Sequence, residues 1–111
     1  MFPRKKRLRR RRDIGVLLRG GRQINVPGLT LRFRFTANNY PRSTVAVGLV
    51  VSKRAVIRNR AKRQLRHLLA TEIKSLTKGV DIMLTVRPPF LKQTKDERLF
   101  ALREALRRAR F

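Results

Sequence analysis

The sequence predicts an α+β fold, a small mixed sheet flanked by helices, on three observations. Residues 29–36 alternate apolar and polar, the period of a strand with one covered face. Two apolar runs, 44–51 and 80–86, bracket a segment with helical apolar spacing, which implies a strand-helix-strand crossover. Helical spacing also marks both ends of the chain, from Leu8 to Leu18 and from Leu99 to Leu106. At 111 residues the chain is expected to form one domain, 1–111, with material for a single modest core.

Taken in order, residues 1–12 hold eight cations between Arg4 and Arg12. Such a run reads as a basic, flexible arm that orders on polyphosphate, with a nuclear-localisation patch as the plainer reading. Leu8, Ile14, Leu17 and Leu18 then give a first helix that Asp13 can cap and Gly20-Gly21 stops. After Pro27-Gly28, Leu29, Leu31, Phe33 and Phe35 share one strand face; Thr30, Arg32, Arg34 and Thr36 share the other. That second face is equally a nucleic-acid platform or a merely solvated surface. A further strand has room to split off near Ile24. Asn38 to Pro41 is turn chemistry. The run 44–51 is apolar enough for a central strand, where Gly48 would admit another backbone.

A long helix follows, with Ile57, Ala61, Leu65, Leu68, Leu69, Ile73 and Leu76 on its covered side. Asn59, Arg63 and Arg66 fall opposite, with Arg60 and Lys74 extending that surface. Arg58 and Lys62 lie at the margin, where their stems can cover apolar surface. Thr77 to Gly79 ends the helix. The strand 80–86, with Met83 expected in the core, is terminated by Arg87-Pro88-Pro89. Residues 91–94 read as a linker. Asp96 starts a last helix through about Ala109, with Leu99, Leu102, Ala105 and Leu106 inward.

Charge narrows the function. Lys plus Arg number 30 against 6 acids, for a net +24, and 22 of the cations are arginine. Arginine's planar fork pairs with phosphate through two bonds and stacks on bases, so nucleic acid leads as partner class, RNA ahead of DNA. The absence of cysteine excludes disulfides and thiolate metal sites. No apolar run approaches a membrane span, and no signal core precedes the chain's first helix, so a soluble intracellular protein is expected. Side-chain catalysis finds no support. The single His67 is followed by Leu68-Leu69 with no acid nearby, and the six acids are scattered without spacing for metal or acid-base work. Gly20-Gly21 and Gly79 lack the strand-to-helix context of a phosphate loop and read as turns.

The densest signal lies between Lys53 and Arg66, where seven cations occur with no acid. Ser52-Lys53 followed by Ala55-Val56-Ile57-Arg58-Asn59-Arg60-Ala61-Lys62-Arg63-Gln64-Leu65-Arg66 resembles the protein component of bacterial ribonuclease P. The resemblance spans most of the chain. Arg7-Leu8 with Asp13 resembles the family's N-terminal helix start, Arg19 to Gly21 that helix's end, and Asp81 to Pro88 the last strand. It implies a left-handed strand-helix-strand crossover and an accessory role in a tRNA 5′-processing endoribonuclease. Catalysis would belong to an RNA subunit that removes the 5′ leader of precursor tRNA with RNA-bound Mg2+. The protein itself would bind no cofactor, and no protein partner or membrane is implied; its place would be the cytoplasm. By position, Arg58, Asn59, Arg60, Lys62, Arg63 and Arg66 resemble the surface that meets the RNA subunit, and Lys53 and Arg54 the basic turn beside it. Ile14, Leu18, Arg32 and Arg34 would line the leader-binding cleft.

The sequence departs from the family's usual pattern in three respects, one of them His67, which stands where an acid is common. Arg54 passes directly to Ala55, where relatives have three more residues, often including Gly-Asn. Positions 14, 18 and 32 are often aromatic but here hold Ile, Leu and Arg. The competing readings are a ribosomal or other structural RNA-binding protein and, behind it, a DNA-compacting protein.

Overall fold

A computed structural model describes residues 7, 8 and 11–111. Its elements are α1 (Arg11–Gly20), β1 (Arg22–Val26), β2 (Leu29–Phe35), β3 (Pro41–Val47), α2 (Ala55–Glu72), β4 (Val80–Val86), a 3-10 helix (Pro88–Lys92) and α3 (Lys95–Ala109). Most of the basic arm expected over 1–12 lies outside the described residues.

The strands form one mixed sheet in the order β1-β2-β4-β3. β1 and β2 are a hairpin whose Pro27-Gly28 turn suits both residues: proline pre-sets φ, and Gly28 sits at φ +80°. β2 and β4 are antiparallel, while β3 and β4 are parallel and joined through α2, the crossover the sequence implied. Gly79 is required by contact, since a Cβ there would run into the Asn38 carbonyl as β4 begins.

One sheet face is the core. Leu29, Leu31, Phe33, Val45, Ile82 and Leu84 are all buried on it, together with Leu65 and Leu69 of α2 and Leu102 of α3. Each fully buried aliphatic contributes about 1.5–3 kcal/mol. The other face carries Arg32, Met83 and Thr44 in one row across the strands, with α1 laid over part of it.

Several expectations need correction. β3 is Pro41–Val47, not 44–51, and it is an outer strand; among the described residues, Arg7 is bridged to Ser43 beyond it and the Leu8 N–H donates to the Ser43 carbonyl (2.8 Å). Residues 48–51 turn instead, because the Val51 N–H finds the Gly48 carbonyl (3.1 Å) rather than a neighbouring strand. A Cβ on Gly48 would meet nothing, so this glycine makes no close approach. Leu8 lies outside α1, where it is buried beside β3. Asp13 falls within the first turn of α1 and accepts from Arg42 rather than capping. α2 ends at Glu72, with Ile73 as its C-cap; Ile73 stays buried and Leu76 half-buried beyond it.

Met83 faces away from the core and is half-buried, since its odd position in β4 points it to the opposite face from Ile82 and Leu84. Phe35 stands 43% exposed at the strand end, stacked edge-on to Phe33 and Phe111. The expected linker is partly a 3-10 helix that buries Phe90 completely. α3 starts at Lys95 behind a Thr94–Glu97 capping box. It buries Ala101, Leu102, Ala105 and Ala109, while Leu99 and Leu106 flank that stripe.

Candidate nucleic-acid interface

α2 forms because its apolar residues return every four positions: Ala61, Leu65 and Leu69 are all at most 2% exposed against the sheet. That register decides where each cation goes. Asn59, Arg60 and Arg63 are fully outward. Arg58, Lys62 and Arg66, also four apart, run along the half-buried margin. Arg66 therefore belongs with Arg58 and Lys62, not on the far side where its sequence neighbours suggested.

Lys53, Arg54, Arg60, Lys62, Arg63 and Arg66 make no side-chain hydrogen bond or ion pair among the described residues. Four of the six acids are paired with other arginines: Asp13 and Asp81 with Arg42, Glu72 with Arg103, and Glu104 with Arg107 and Arg108. The first turn of α2 has no acid and no capping side chain, so its free N–H groups add to the positive field. Arg58 is partly engaged, donating from Nη1 to the Ser52 carbonyl (2.9 Å), while the Arg54 N–H donates to Ser52 Oγ (3.1 Å). These bonds fix the turn against the helix.

A second surface lies on the opposite face of the sheet, beside α1. Ile14 and Leu18 are one helical turn apart; Leu18 is 47% exposed, and its carbonyl accepts a long hydrogen bond from Arg32 Nη1 (3.4 Å). Arg32 is half-buried and Arg34 exposed, so the structure brings Leu18 and Arg32 together and leaves Arg34 toward the rim. Thr44 and Met83 share the row of Arg32, and Thr30 with Thr85 makes the next row, where Arg87 Nη1 donates to Thr30 Oγ1 (3.3 Å). Sequence reasoning missed Thr44, Met83, Thr85 and Arg87. The alternation within 80–86 could have placed Met83 and Thr85 on one face, but only strand pairing sets them beside Arg32.

The position of α1 rests on a partly buried ion cluster. Arg42 donates to both oxygens of Asp81 (Nε–Oδ1 and Nη2–Oδ2, each 2.8 Å) and to Asp13 Oδ2 (3.2 Å). The Asp81 side chain is only 5% exposed. Its hydrogen bonds raise the Arg42 pKa further above the ordinary guanidinium value, against the opposing effect of burial. The cluster ties α1 to β3 and β4 at one end of this surface. Sequence reasoning missed Arg42.

Among the described residues, no three His, Cys, Asp or Glu side chains come together as a metal site. Among the described residues, no helix is long and apolar enough to cross a membrane.

The ribonuclease P family pattern matches residues 2–110. The ribonuclease P protein component of Synechococcus elongatus is 41% identical over 91 residues, covering 78% of this chain and 75% of that one. That of Streptomyces bikiniensis is 35% identical over 97 residues, covering 79% and 78%. Among solved structures, the RNase P protein of Staphylococcus aureus superposes with a TM-score of 0.82 at 21% identity, over 94% of each chain. That of Thermotoga maritima does so with 0.73 at 24% identity, over 93% of each. At these identities the two structures show a shared fold.

Proposed function

The chain belongs to the ribonuclease P protein family, and from that premise we propose how its two surfaces divide the work of tRNA processing. As a ribonuclease P subunit its partner is an RNA. The exposed face of α2, with Asn59, Arg60 and Arg63 outermost and Lys53, Arg54, Arg58, Lys62 and Arg66 around them, docks on the RNA subunit. The cleft of Ile14, Leu18, Arg32 and Arg34 guides the single-stranded leader of precursor tRNA. One observation carries the reading: α2 presents a cationic face on which, among the described residues, only Arg58 has an internal partner, on a helix whose other side is locked into the core.

Cleavage is assigned to the RNA subunit. The protein's acids do not fit a metal cage, because most are bound to arginines and the described ones do not converge. Mg2+ belongs with the RNA's phosphate oxygens, a hard donor set suited to it. The protein's contribution is binding and positioning, in the cytoplasm where tRNA precursors are made. In the cleft, Leu18 and Ile14 offer apolar contact in place of an aromatic stack, and Arg32 offers a guanidinium plane and charge to a base or phosphate.

The test is reconstitution. Purified protein added to a bacterial ribonuclease P RNA should restore cleavage of precursor tRNA at low magnesium. With six to ten phosphates neutralised, binding should also weaken about 10³–10⁵-fold between ~50 and ~200 mM salt. Unchanged cleavage together with tight binding to ribosomal RNA would overturn the assignment.

A further inference from the structure

The turn after β3 holds aliphatic side chains out in solvent. The Val51 N–H closes on the Gly48 carbonyl, leaving Leu49 and Val50 at the tip, 68% and 80% exposed. Val56, in the first turn of α2, is 65% exposed. It lies three, four and seven residues before Asn59, Arg60 and Arg63, and so shares their helix face. The tip is held firmly. Val51 is buried beneath it, and Ser52 is bonded to both Arg54 and Arg58. Because that turn is already ordered, binding through it loses little conformational entropy.

We infer that Leu49, Val50 and Val56 form an apolar seat for an unpaired nucleotide of the RNA that α2 binds; this rests on the reading of α2 as the RNA-docking helix. RNA offers apolar surface chiefly on the faces of unstacked bases, which paired A-form helices conceal and loops or bulges expose. Phosphates drawn to Lys53, Arg54 and Arg60 bring such bases beside the tip. A second copy of the chain is a poor occupant, because it would set two acid-free cationic faces against each other. Leucine and valine have no ring face, so the interaction is hydrophobic burial and depends little on salt or on which base is present.

The experiment measures the affinity of the full chain for a bacterial ribonuclease P RNA across a salt series. Leu49→Ser/Val50→Ser should weaken binding about 10- to 100-fold at every salt concentration, the effect of half-burying two aliphatic side chains, with the salt slope unchanged. Val50→Lys separates this from simple electrostatics. If the tip only lies near phosphates, the added cation tightens binding; the apolar seat requires that it weaken it. Arg60→Ala should instead flatten the slope by about 0.7–0.9 for each phosphate it no longer neutralises. Wild-type affinity that ignores salt would sink the α2 reading itself. A normal Arg60→Ala response with unchanged affinity in the serine variant, or tighter binding by Val50→Lys, would sink only this inference. Should the double variant lose its fold, Val56→Ser outside the turn gives the same reading: weaker binding supports the seat, unchanged binding overturns it.

Discussion

Arg42 donates three hydrogen bonds to two carboxylates, whereas Arg60 donates none among the described residues. The same side chain is thus engaged by the fold in one place and left open for the proposed RNA contact in the other, and substitutions should separate the roles. Arg42→Ala leaves the Asp81 carboxylate buried without its partner, which should cost about 3–5 kcal/mol of folding stability by denaturant unfolding. Arg42→Met with Asp81→Leu should recover most of that loss, since the uncompensated buried charge is gone and Asp13, which also loses Arg42, is partly solvated. Arg60→Ala should leave the melting temperature unchanged and cost about 1–3 kcal/mol of RNA-subunit binding, the scale of a charge-assisted hydrogen bond. Arg32→Ala should weaken precursor tRNA binding by the holoenzyme while mature tRNA binding stays as it was. An equal loss for both would remove Arg32 from the leader cleft.

At the scale of elements, the two long helices are finished differently. α3 has a capping box, acids Asp96 and Glu97 in its first turn, and Arg107 and Arg108 in its last. α2 has no side-chain cap, no acid in its first turn and no base in its last. Its stability is left to the sheet beneath it, and its N-terminus remains open to phosphate. Arg54→Asp should therefore raise the melting temperature, by supplying a cap worth about 1 kcal/mol, while weakening RNA binding.

In α3, hydrogen bonds from Arg107 and Arg108 hold the Glu104 carboxyl down from 4.5 to about 2. A depressed carboxyl stabilises the fold above its unfolded value and loses that contribution as pH falls through the folded one. The helix should thus lose support between about pH 4.5 and 2. The effect is modest at the surface, where water and salt screen the pairs. A melting series comparing wild type with Glu104→Gln over that range isolates it, because the variant lacks this component of the pH response.

Across the whole molecule, a net charge of +24 opposes compaction. Three acids sit in α3, one at the end of α2, and two in the Arg42 cluster, so neutralisation is concentrated where the fold needs it. The α2 face is left for an external polyanion. Sulfate or phosphate should therefore increase helical circular dichroism and raise the melting temperature. An anion at a hundred times its dissociation constant would add about 2.7 kcal/mol. A signal indifferent to both anions would contradict this.

Much of this molecule is written in local pattern. Period-two alternation marked β2, and four-residue spacing marked α2, because a covered strand face and a covered helix stripe each impose their own repeat. The Arg58-Asn59-Arg60 segment was likewise visible as an acid-free cationic face. Local pattern failed where the answer depended on a distant partner. The run 44–51 looks like one buried strand, yet the sheet ends its ladder at Val47 and turns Leu49 and Val50 outward. Arg42 resembles any other arginine until strand pairing sets it beside Asp81, 39 positions away. Met83 reads as core until the register places it next to Arg32 on the open face. Sequence by itself determined the order of the main strands and helices, though not all their bounds, and the partner class, through repeat and charge. Tertiary structure alone decided the row of Arg32, Met83 and Thr44, the cluster that holds α1 beside it and the exposed apolar tip, because pairing between remote segments chooses which side chains become neighbours.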